Sequence, residues 1–397
     1  FVSPRFLFPV DSGGKIRTTQ ILRGMKEGPF RVTLVSPGSE RLVSRFAAEL
    51  DTVCDEFVWW PERERGRWYS LMRLVHVANS LPIPVRSDKD RRAVARVADL
   101  LAREPAVAVF DFAHAAVLMP ERPSVPTVMF THNVEAEIFR RHQSVAGNPV
   151  TRALWSDQYR KMCRFERDAL LRYDIVVAVS ERDAAQFEQD YGTDKPFVIP
   201  TGVDLDFFAY SPPERERNVV FCGSMDWLPN QDGVSYLMDS VWPRIVERVP
   251  DAQMTIVGRA PPSSLVEAAT RRGINWSFTG FVDDVRPHIR GAAVSVIPLR
   301  VGGGTRLKAY EAMAMGSPVV STTIGVEGLD VEDGRHYLNA DDADALADAV
   351  VRLMLEPELR NRISRAAREL VESEFSYRVA ARAFEEACEL AIDRRSS

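Results

Sequence analysis

A chain of 397 residues outgrows the size at which a single core keeps enlarging, so two domains are expected. Its 45% hydrophobic and 27% charged residues are those of an ordinary globular protein, with no apolar run near the ~18 residues a bilayer span needs. The net charge of −5 is uneven, 29 Lys+Arg against 26 Asp+Glu over 1–200 and 22 against 30 over 201–397, yet no basic block or basic-aromatic interleaving supports nucleic acid as a partner. The asymmetry reads either as surface composition or as an N-terminal face tolerant of anionic acceptors or peripheral membrane contact.

From the start, "FVSPRFLFPV" reads as a strand that opens abruptly at Phe1, leaving open whether residues precede it. Near-continuous apolar runs follow at 31–36, 107–112, 127–132, 174–180 and 197–202, the pattern of parallel strands covered on both faces. Between them 87–104 reads as a helix with a capping-box-like Ser87 and Asp90, its face made by Val94, Val97, Leu100 and Leu101. Ser180 caps another. The stretch 205–218, with paired prolines, reads as a linker. The plan then repeats with strands at 218–224, 252–258, 276–281, 292–298 and 318–322, and 376–395 reads as an amphipathic helix presenting Val379, Ala383, Phe384, Cys388 and Leu390. Cys54, Cys163, Cys222 and Cys388 lie far apart without metal-ligand or disulfide-scaffold spacing, as in a reducing cytoplasm.

The most informative stretch is "PLRVGGGTRLKAYEAMAMGSPVVST" (298–322), a strand end, a glycine loop and a helix from about Thr305. Glycines let backbone approach a ligand closely, and the helix aims unpaired N–H groups at whatever the loop holds. Arg306 and Lys308 oppose the helix dipole, so an anion is expected to offset them, with a diphosphate the natural candidate. Glu311 lies about one turn deeper, placed to accept hydrogen bonds from a ribose diol. The plain alternative is a flexible loop before an amphipathic helix with a surface Lys-Glu pair. The loop is not a P-loop.

With these residues, 219–329 resembles the donor domain of family 4 glycosyltransferases of the GT-B fold. "PVDSGGKIRTTQIL" (9–22) is similar to the glycine loop after the first strand of such enzymes, and "PTGVDLDFF" (200–208) to the exit before their interdomain linker. The resemblance implies an α/β protein of two Rossmann-like, doubly wound domains facing a central cleft. One is an acceptor-side domain over 1–207, with the helix at 376–397 packing back on it; the other is a donor-binding domain over 208–375. It implies a retaining, metal-independent transfer of a hexose-type sugar from a nucleotide-diphosphate sugar to a hydroxyl of a glycan, lipid-linked or small-molecule acceptor. It further implies no cofactor, and a role in polysaccharide or glycoconjugate biosynthesis in the cytoplasm or on the cytoplasmic face of a membrane.

The family's usual pair of glutamates, eight positions apart, is broken: Glu311 supplies the second, and Gly303 stands at the first. Backbone of Gly303, Gly304 and Thr305 is expected to replace the lost contact. Where relatives carry Arg and Lys in the first donor-domain loop, this chain has Gly223, Ser224 and Asn230, so Arg306 and Lys308 are expected to carry the positive charge, with Arg259 a third candidate. His132 resembles the histidine set against the donor sugar, with Asn133 and Glu135 either weaker candidates or helix caps. Gly14 is expected to help bind the donor, and Gly13, Lys15 and Arg17 the acceptor. Glu327 lines the nucleobase or caps a turn. "DLD" at 204–206 reads as turn chemistry rather than a metal site. Trp59, Trp60, Trp68 and Tyr69 form either an acceptor platform or a subdomain core. Two other readings stay open: a catalytically weak nucleotide-sugar-binding scaffold, suggested by Gly303, and a GT-B-type epimerase.

Overall fold

The computed structural model describes residues 1–62, 77, 79–120, 123–144, 148–211, 217–301 and 306–396. Gly303, Gly304, Thr305, Trp68 and Tyr69, and the middle of the expected linker, lie outside the described residues. The chain divides into two compact units, Phe1–Gly202 with Arg378–Ser397, and Val203–Tyr377.

In the first unit, β1 (Thr33–Gly38) pairs in parallel with β2 (Glu56–Pro61). A second parallel sheet runs β3 (Ala108–Asp111), β4 (Thr127–Phe130), β5 (Ile175–Ala178) and β6 (Phe197–Val198). The opening residues are not the expected strand: only Val2 is bridged, in parallel, to both Val35 and Phe110, and it stitches the two sheets together. The apolar runs are explained by alternation. Val109, Val128, Phe130, Ile175 and Val177 enter one buried cluster, while Phe110, Met129, Val176 and Ala178 enter another, so both faces are covered.

The helix expected over 87–104 is two. Ser87 lies in the last turn of Ile83–Asp88, its Oγ donating to the Ile83 carbonyl at 2.7 Å, and Asp90 caps Arg91–Leu101 by accepting from the Arg92 N–H at 2.8 Å. The Ser180 cap holds, with its Oγ accepting from the Asp183 N–H at 3.2 Å. The closing helix Tyr377–Ser396 buries Ala380, Phe384, Ala387, Cys388 and Ala391 against the first unit's sheet. Its face is set by small residues, and Leu390, expected inside, is 39% exposed.

In the second unit, β7 (Asn218–Cys222), β8 (Gln253–Val257), β9 (Trp276–Gly280), β10 (Val294–Ile297), β11 (Val319–Ser321) and β12 (Leu338–Asn339) form one parallel sheet in the order β12-β11-β10-β7-β8-β9. The order reverses beside β7 and β10, and ligands of open parallel sheets bind at the carboxyl ends of strands flanking such a switch. At 204–206, Asp204 Oδ1 accepts from the N–H groups of Asp206 and Phe207 at 3.1 and 3.0 Å, a side-chain-closed turn.

Candidate active site

In the second unit, two strand ends and one helix converge. β7 ends at Cys222, and β10 leads through the glycine loop to the helix Leu307–Ala314. Lys308, on the first turn, donates from Nζ to Asn230 Oδ1 at 3.1 Å and sits 4.8 Å from the centroid of the Phe221 ring. Buried Asn230 in turn donates from Nδ2 to the Ser224 carbonyl at 2.7 Å. Gly223 leaves room for this pair, because a Cβ would stand 2.7 Å from Asn230 Nδ2 and 2.9 Å from Lys308 Nζ and would displace those side-chain ends.

Glu311 is partly buried, and among the described residues its carboxyl has neither a hydrogen bond nor an ion pair. Burial pushes it up to about 7 against the opposing pull of Lys308, and burial lowers the Lys308 amine to about 8. A carboxyl left without a protein partner in such surroundings is costly unless a ligand supplies one. Arg306 is buried and directs Nε to the Ile324 carbonyl at 3.1 Å, tying the helix start to the loop after β11. Arg259, by contrast, is exposed and donates from Nε to Ser224 Oγ at 2.9 Å and Asp226 Oδ2 at 3.0 Å. It brings Ser224 with it, 2.7 Å from Asp226.

In the first unit, His132 follows β4 and is buried. Its Nε2 lies 2.7 Å from Asp111 Oδ1. Asp111 also accepts from Ser3 Oγ at 3.0 Å and from Thr18 Oγ1 at 3.1 Å, so the imidazole is the donor at Nε2. Burial lowers the His132 pKa against the pull of Asp111, which keeps the ring neutral and leaves Nδ1 as a hydrogen-bond acceptor. Phe112 stacks on the ring at 4.0 Å between centroids and holds a positive φ of 65°. Gly14 accommodates Phe112: a Cβ there would stand 2.5 Å from its Cζ.

One expectation for the acceptor needs correction. Arg17 does not face an acceptor; it is 3% exposed, donates to the carbonyls of Thr131 at 2.6 Å and Ile199 at 2.5 Å, and lies 4.4 Å from the Phe130 centroid. Helix periodicity places it on the inner face, and apolar surroundings bring its pKa down to about 9. Lys15 lies 3.1 Å from the exposed Asp11 carboxylate, donates to the Pro9 carbonyl at 3.1 Å and lines a cavity of the first unit. Gly13 has open space around it. Glu135 caps nothing with its side chain; instead buried Glu166, from the helix Pro149–Leu170, accepts from the Glu135 and Ala136 N–H groups at 2.8 and 3.1 Å. Glu166 was not legible as a site residue, being 31 positions from the turn it caps. Among the described residues, no three His, Cys, Asp or Glu side chains converge as metal ligands.

Comparison with known proteins follows this division. The Glycosyltransferase Family 4 model matches residues 12–207, and the Glycosyl transferases group 1 model matches 216–356. The chain belongs to the glycosyltransferases. Among curated relatives, phosphatidyl-myo-inositol mannosyltransferase of Mycobacterium tuberculosis is 32% identical over 177 residues, 41% of this chain and 46% of that protein. The Mycobacterium leprae protein of the same name is 34% identical over 182 residues, 44% of this chain and 48% of that protein. The chain thus spans just under half the length of these relatives. Solved structures extend the fold likeness to the whole chain: Anabaena Alr3699/HepE with UDP and glucose is 16% identical with a TM-score of 0.67, covering 98% of each chain. Sucrose-phosphate synthase from Thermosynechococcus elongatus, also 16% identical, has a TM-score of 0.67 and covers 100% of this chain and 99% of that one. The fold of this glycosyltransferase is therefore GT-B. No helix among the described residues is long and apolar enough to cross a membrane.

Proposed function

We propose that this glycosyltransferase transfers a hexose-type sugar from a nucleotide-diphosphate donor to a hydroxyl, with retention of anomeric configuration and without a metal. The observation that carries the reading is Glu311, a partly buried carboxyl with no protein partner among the described residues, one turn beyond Lys308 on the helix that opens after β10. A ribose diol donates two hydrogen bonds to such a group. The diphosphate meets Lys308 and the helix N-terminus, and cleavage of the sugar–phosphate bond builds negative charge there that a preorganised cation stabilises. Arg306 supports the same helix end, and Arg259 and Ser224 stand at the neighbouring strand exit. Backbone of Gly303, Gly304 and Thr305 is assigned to the diphosphate and sugar. To His132 we assign the orienting of the transferred sugar through Nδ1, with Gly14 keeping its stacking partner in place. The mannosyltransferase relatives support a sugar-transfer chemistry of this kind.

Purified protein incubated with UDP-, GDP-, ADP- and dTDP-sugars is expected to gain thermal stability with one nucleobase class, since ligand affinity converts into apparent stability. Glu311→Ala should abolish that gain with little change in the unliganded Tm. Lys308→Ala should lower turnover by about 10²–10³-fold, and EDTA should leave turnover unchanged. Donor binding without turnover across an acceptor panel would favour the scaffold reading.

A further inference from the structure

The first turn of the helix Leu228–Tyr236 holds the loop that follows β7. Asn230 is 3% exposed and donates from Nδ2 to the Ser224 carbonyl at 2.7 Å, and Gln231 donates from Nε2 to the Met225 carbonyl at 2.6 Å. A carbonyl only accepts and an ammonium only donates, so the two partners of Asn230 fix which way its amide is turned. Its Oδ1 must face Lys308 Nζ, 3.1 Å away. Among the described residues this is the one hydrogen bond of the amine, which otherwise lies 4.8 Å from the centroid of the Phe221 ring. Two of its three N–H groups are therefore uncommitted.

We propose that Asn230 is a positioning residue for Lys308, a neutral acceptor that aims the two remaining donors of the ammonium at the diphosphate and leaves its full positive charge for the phosphates. The inference rests on the transferase reading and deepens it. Other side chains at this position would each fail. A carboxylate would pair with the amine and cancel, before any ligand arrived, the charge that the departing nucleoside diphosphate needs. A second cation would repel it, and an apolar side chain would leave a buried ammonium without an acceptor. The remaining groups around the amine do not take over this role. Cys222, at the end of β7, is a thiol that burial pushes up to about 12, so it is neutral. Arg306 opposes the charge of Lys308, and Glu311 favours it without a hydrogen bond.

The test follows kcat/KM of the full chain for the nucleotide sugar against pH, a profile that reports groups of the free enzyme. Lys308 must stay charged, and burial already brings its amine down to about 8, so the parent is expected to lose activity as pH rises through about 8. Asn230→Leu removes the acceptor of the charged form. Its alkaline limb should move down by about one pH unit, making its loss against the parent about tenfold greater at pH 9 than at pH 6; a purely structural role would lower the rate equally at both. Asn230→Asp should move the limb up by about one unit and lower the plateau about tenfold. Adding Asn230→Leu to Lys308→Ala should cost nothing further, since the two residues act as one unit. A parental limb in Asn230→Leu, or a further loss in the double variant, overturns the proposal while Lys308→Ala still lowers turnover. Should Asn230→Leu not fold, the near-isosteric Asn230→Asp decides: a raised limb upholds the proposal, and an unmoved or lowered one overturns it. Parental turnover by Lys308→Ala, or none by the parent with any nucleotide sugar, fails the transferase reading itself and takes the proposal with it.

Discussion

At position 14 two opposing effects can be weighed. Within a helix, alanine is favoured over glycine by about 1 kcal/mol, but a Cβ would stand 2.5 Å from Phe112 Cζ, and overpacking of this kind typically costs about 1–3 kcal/mol. The clash wins. Gly14→Ala should lower the urea midpoint and, by moving Phe112 off His132, lower turnover as well; a raised midpoint would contradict the packing. Glu166 gives a second test. Burial, with the nearby Glu135 charge, raises its pKa from 4.5 to about 7 despite the Glu135 and Ala136 N–H groups and the Tyr191 hydroxyl that donate to it. The folded state therefore holds a proton that the unfolded chain releases between these values. Its stabilising contribution is complete below about 4.5 and lost as pH rises through about 7. Glutamine cannot lose that proton. The Tm advantage of the parent over Glu166→Gln should thus shrink from pH 5 to pH 8, and a pH-independent difference would refute the assignment.

Among elements, the helix Tyr377–Ser396 makes the sharpest prediction. Phe384 is fully buried, with its centroid 4.8 Å from that of Phe130, so Phe384→Ala should cost about 3–5 kcal/mol. Leu390→Ser, on the exposed side, should change little. Chemical denaturation of both variants checks the helix register. This helix also shows what was legible in sequence. Phe384 and Cys388 were readable as inward, but Leu390 was not separable from the alanine-rich face, because periodicity weighs leucine above alanine while packing against a sheet at close range prefers the smaller residue. Strand runs were readable because both sheet faces are covered. The opening residues were not, since Val2 is held by neighbours distant in sequence, at 35 and 110. At the candidate site, the spacing of Lys308 and Glu311 was visible. The inward turn of Arg17 was not, since its partners are carbonyls 114 and 182 positions away, and nothing local marks a carbonyl as an acceptor for a guanidinium.

For the whole molecule, the division into units carries a prediction of its own. Val203–Tyr377 contains its own sheet and clusters of buried residues, and it closes on itself where the Val203 N–H donates to the Phe375 carbonyl at 2.7 Å. A fragment of residues 203–377 should fold, with dispersed amide resonances, and bind the nucleoside diphosphate whose sugar stabilises the full chain. A fragment of residues 1–202 should not, because the groove filled by Phe384, Ala387, Cys388 and Ala391 would stand open to water. If the short fragment stays monomeric and gives a cooperative melt, the closing helix is an ornament of the first unit rather than part of its core.

That arrangement has a consequence during synthesis. A ribosome completes the middle segment before it delivers the closing helix, so the later-encoded unit can reach its native state while the earlier-encoded one still waits with an unfilled seam. The nascent chain must keep that seam from sticking to its neighbours until the last turns emerge, and slow codons placed shortly before position 378 would prolong the hazard.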